Sequence, residues 1–147
     1  MKRNLLVVAA VLLPLLGAAV DKKPLPLQEM KARAESAADS SKPLLYVEVV
    51  SREIEDANQL FTTGEVEKAH KMIKEAVQYA EKARDAAIAR RHKMKDTEIH
   101  LRKAEHRLND IRRTLALEDQ PEVQEAVDRI AAVRKQILEA MFAPKPK

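Results

Sequence analysis

Residues 66–115 read VEKAHKMIKEAVQYAEKARDAAIARRHKMKDTEIHLRKAEHRLNDIRRTL. A 3-4 step from Val66 meets Val66, Ala69, Ile73, Ala76, Ala80, Ala83, Ala87, Arg90, Met94, Thr97, Leu101, Ala104, Leu108, Ile111 and Leu115. Only Arg90 and Thr97 among them are polar, so the spacing lays an apolar seam along one helix face. Neither Gly nor Pro falls between Gly64 and Pro121. The unbroken phase predicts a continuous helix over about 65–117, roughly 75 Å long at ~1.5 Å per residue. The rival is a break near residues 91–97, with Asp96 or Thr97 capping a new helix. The halves would then fold as an up-down four-helix bundle.

On either side stand two shorter helices, over about 43–62 and 120–142. In the first, Val47, Val50, Ile54, Ala57 and Phe61 share a face, with Ser41 at the N-cap and Pro43 in the first turn. Thr62-Thr63-Gly64 ends it, Gly64 being able to take the left-handed conformation. In the second, Asp119-Gln120-Pro121-Glu122 starts a stripe of Val123, Ala126, Ile130, Val133, Ile137 and Ala140. Short connections make both antiparallel to the long helix. The expected domain, 43–142, is thus an all-α rod of two hairpins sharing one helix.

Composition fits this class. The 147 residues hold 2 Gly, 7 Pro, no Cys and no Trp. Two glycines cannot supply the turns of a β-sandwich or a nucleotide-binding α/β fold. Without cysteine there is no disulfide scaffold, thiolate metal site or Cys nucleophile. Met1 to Asn4 is a basic start, Leu5 to Val20 an apolar run, and Gly17-Ala18-Ala19 offers small residues for cleavage. Residues 1–19 therefore read as a signal peptide, which predicts export, with the periplasm as first destination and the extracellular space as second. The apolar run is too short to span a membrane comfortably, and Pro14 interrupts it. Residues 20–42 read as a linker with a possible short helix over 27–38, and 143–147 as a loose basic tail.

Two surfaces follow from the pattern. Met72, Val77, Tyr79, Ala86 and Ile88 widen the seam beyond what one neighbouring helix covers. Either Leu27 to Ala38 folds over this flank, or it meets a protein partner or a second copy. The second surface is basic: residues 82–113 carry eleven Lys/Arg against five Asp/Glu. Arg90, Arg91, Lys93, Lys95, Arg102 and Lys103 are its polyanion-binding candidates. Aromatic stacking residues and a groove-binding unit are both missing, so nucleic acid is not the expected partner. An anionic envelope surface or a chaperone-like role suits the exported address better.

Three places in the sequence invite a chemical reading. His92, Asp96 and His100 fall at i, i+4 and i+8, but the ends of that ridge lie ~12 Å apart, too far for one ion. Met72, Met94 and Met141 suit core filling, and no Cys-x-x-Cys-His haem site exists. Glu53 and Glu55–Asp56 are expected on an exposed helix where nothing shifts their pKa. No catalytic residue, metal or cofactor is therefore assigned.

Ile54 to Ala80 resembles one tetratricopeptide-type helical hairpin. Ala57 takes the small position of its first helix and Gly64 its turn. Ala69, Ile73 and Ala76 take the small, large and small positions of the second. The unit is not repeated, and Glu81 stands where the family has proline. The resemblance implies hairpin geometry and a protein-binding role. In plan the chain also resembles uncharacterised exported all-helical bacterial proteins. Together these readings predict a non-enzymatic interaction or structural module of the cell envelope, with polyanion binding or metal or haem carriage as alternatives.

Overall fold

The computed structural model describes residues 23–147, so the expected signal peptide and the first residues of the expected linker lie outside it. The described residues form five α-helices: α1 (Leu27–Ser36), α2 (Lys42–Thr62), α3 (Val66–Arg90), α4 (Met94–Thr114) and α5 (Gln120–Phe142). None is long and apolar enough to cross a membrane.

The long helix expected over 65–117 does not form. The chain leaves α3 at Arg91, which adopts the left-handed conformation at φ 47°, ψ 38°. His92 N–H donates to the Ala87 carbonyl at 3.0 Å and Arg91 N–H to that of Ile88 at 3.1 Å. Lys93, at φ 57°, then turns the chain into α4. Gly64, at φ 80°, ends α2 with the same pair of bonds, from Glu65 to Leu60 and from Gly64 to Phe61. Both ends are Schellman motifs, but one is built on arginine. Each left-handed L-residue costs about 1–2 kcal/mol. Turning back buries Leu101, Leu108 and Ile111 completely or nearly so, and each such side chain contributes about 1.5–3 kcal/mol. Burial wins, so the helix breaks.

The result is a bundle rather than a rod. Around its section the four longer helices run in the order α2, α3, α5, α4, each packed on the next and α4 on α2. α3 and α5 are parallel: His70 faces Glu122, Glu81 faces Arg129, Arg84 faces Gln136 and Arg91 faces Ala143. Inside lie Val47, Val50, Ile54, Ile73, Leu101, Leu108, Ile111, Ile130 and Ile137. The wide apolar stripe of α3 has a plain cause, since α3 packs against α2, α5 and α4, and α1 reaches it through Lys31 and Glu35.

On α4 and α5, charge closes the bundle. Glu98 is almost completely buried and receives Arg102 of its own helix and Arg134 of α5, the latter at 2.8 Å. Arg134 also grips Glu105. Burial opposes the Glu98 carboxylate, yet Arg102 and Arg134 outweigh it and hold its pKa below the ordinary value.

Candidate functional site

The apolar flank of α3 is occupied. α1 lies over the α2–α3 groove, with Leu27 and Met30 against the core and Ala34 fully buried. Val77 is buried, while Met72, Tyr79, Ala86 and Ile88 are half-buried against the same core. Tyr79 packs on Tyr46 with ring centroids 5.9 Å apart, and Lys82 sits 4.9 Å from the Tyr79 centroid. A polar latch fixes α1 from above: Glu35 accepts from the Tyr46 hydroxyl at 3.0 Å and pairs with Lys82.

Lys31 completes the latch by reaching Glu53 at 2.7 Å and Glu75 at 2.8 Å. Here the expectation of an exposed, unperturbed Glu53 fails. The residue is 0% exposed, and burial pushes its carboxyl up to about 7 against the pull of Lys31. Burial would depress the Lys31 ammonium, but Glu53 and Glu75 together hold it above its ordinary value. The sequence concealed this because α1 covers what would otherwise be a solvent-facing turn of α2.

The basic stretch divides in two. Arg102 is spent on Glu98, and Lys103 stands exposed on the side of α4. Arg90, Arg91, Lys93 and Lys95 gather at one end of the bundle, where α3 stops and α4 starts. Arg90 meets Asp39 at 2.7 Å, and Lys42 meets the same carboxylate at 3.3 Å, which brings in the start of α2. Arg91 donates to the Ala143 carbonyl at 3.1 Å, which brings in the end of α5 and the tail with Lys145 and Lys147. Segments 39–42, 90–96 and 141–147 thus carry seven Lys/Arg against two Asp. The opposite end, segments 62–68 and 112–122, carries five Asp/Glu against three Lys/Arg. The bundle is polarised along its axis.

Sequence reasoning noted the basic tail but did not join Lys42, Lys145 and Lys147 to the stretch around Arg91. The break gathers them at one end of the bundle. A cleft of about 350 Å³ opens beside this end between Lys42, Tyr46, Lys82 and Arg90. Asp39 and Asp85 also line it and offset most of the charge of its three cations.

The metal ridge is dissolved by the same break, since His92 lies in the turn outside α4. His100 Nδ1 instead lies 2.7 Å from the Asp96 carbonyl. Among the described residues no group of three His, Cys, Asp or Glu side chains is placed to hold a metal. His70 is nearly buried, edge-on to Phe61, with Nδ1 3.5 Å from Glu122.

The fold and site define an all-helical five-helix domain with one strongly basic end. No protein-family model, curated protein or solved structure matches the chain.

Proposed function

We propose that the protein is a non-enzymatic helical module that binds a polyanion through the end formed by Lys42, Arg90, Arg91, Lys93, Lys95, Lys145 and Lys147. The observation that carries this reading is the turn itself. Arg91 and Lys93 both occupy left-handed backbone that glycine fills far more easily. Backbone strain of this kind gathers at working surfaces, and here it is borne by two cations. Asp39 offsets part of the charge of Arg90 and Lys42, and Asp96 lies 3.5 Å from Lys93, yet seven cations against two carboxylates leave this end net positive.

The flank of residues 72–88 supports partner binding less well, because its side chains are buried or half-buried against the core. Export to the cell envelope belongs to the proposal and rests on the reading of residues 1–19. Anionic envelope material would then be the polyanion at hand.

The test is binding of inorganic polyphosphate at several salt concentrations. Affinity should fall steeply with salt as counterions are released. Arg91→Ser/Lys93→Ser/Lys95→Ser should weaken it about tenfold or more, since each exposed cation near an anionic surface contributes about 1 kcal/mol. Lys68→Ser/Lys71→Ser/Lys74→Ser, at the other end, should change it little. Equal losses from both triples would contradict the assignment.

A further inference from the structure

The basic end also carries a feature that charge does not explain. Phe142, the last residue of α5, is 82% exposed beside the half-buried Met141, next to the Ala143 carbonyl that Arg91 reaches. We infer that the basic end is a membrane-surface dock, with a bilayer of anionic lipids as its partner and Phe142 as the side chain that enters the interface. This rests on the polyanion reading above and narrows it to one partner.

A soluble polyanion rewards cations and gives an exposed phenyl ring nothing to bury in. A bilayer supplies both, with anionic headgroups over hydrocarbon. The chain beyond Phe142 suits the same interface. Ala143-Pro144-Lys145-Pro146-Lys147 alternates proline, which has no N–H to strip of water, with lysines whose stems can lie along the interface. The other end provides the contrast. Leu117 is 81% exposed, but Glu118 and Asp119 follow it, so an anionic surface would repel it.

The chain has no tryptophan, so Phe142→Trp introduces a single indole that can be excited beyond the absorption of Tyr46 and Tyr79. The full chain is mixed with phosphatidylcholine vesicles, with and without phosphatidylglycerol, and with polyphosphate. The Phe142→Trp emission should shift to the blue only with phosphatidylglycerol vesicles. Phe142→Ser should weaken vesicle binding about tenfold or more, as expected for one lost aromatic anchor, while polyphosphate binding stays within about twofold. Leu117→Ser should change neither. Polyphosphate binding without vesicle binding, or vesicle binding indifferent to Phe142, overturns the membrane dock and leaves the polyanion reading standing. Binding to neither overturns both.

Discussion

Arg91 donates from Nη2 to the carbonyl of Ala143 at 3.1 Å, and this contact ties the α3–α4 turn to the end of α5. One residue therefore does two things. Its backbone ends a helix in a conformation that L-residues resist, and its side chain closes the basic end.

Arg91→Gly should consequently raise stability and lower binding. Glycine relieves the left-handed strain, and only an exposed hydrogen bond is lost. A gain of about 0.5–1 kcal/mol in urea denaturation is expected, together with weaker polyphosphate binding. A loss of stability would show that the turn is not strained.

The Lys31–Glu53 pair should make stability depend on pH around neutrality. The Glu53 carboxyl stands at about 7 in the folded chain against an ordinary 4.5, so folding takes up a proton between those values. Its contribution is complete below about 4.5 and is lost as pH rises through about 7. Glu53→Gln should flatten the stability profile across this window, by on the order of 2 kcal/mol. Lys31→Met should destabilise by about 3 kcal/mol at pH 8, where it leaves an unpaired buried carboxylate, and by less at pH 5. A pH-independent loss from Lys31→Met would contradict the assignment.

Arg134→Met should be among the costlier single changes, at roughly 2 kcal/mol near neutral pH, because it removes one of the two cations on buried Glu98 and the partner of Glu105. The sign with pH is opposite to that of Glu53. A depressed carboxyl contributes above its ordinary range and loses that contribution as pH falls. Thermal melts at neutral and acidic pH check this, with the variant expected to approach wild type in acid.

The apolar stripes of α2 and α5 are legible because they are strong and Gly64 and Pro121 punctuate them, whereas α1 reads only as a possible short helix in a linker and α3 and α4 read as one. The break at Arg91 was not, for a physical reason. Helix termination there uses a left-handed arginine, which carries no compositional mark. The 3-4 phase survives the break because α3 and α4 each turn their stripe to the same core, from Ala87 on one side to Thr97 and Leu101 on the other. Conserved phase therefore does not prove a continuous helix. Glu53 was misplaced for a related reason: its burial depends on α1, whose short stretch reads as a linker. The basic end shows both limits, since its cations are visible one by one and their gathering at one end of a bundle depends on the break.

The most direct test of the account is the distance between spin labels at positions 67 and 113, near the start of α3 and the end of α4. If the chain turns back at Arg91–Lys93, both labels lie at the acidic end, under about 30 Å apart given usual helix spacings. That result would support the gathering of Lys42, the Arg91 turn and the α5 tail on one basic end. A distance near 70 Å, as a continuous helix of ~1.5 Å per residue requires, would contradict the bundle and the functional reading built on it.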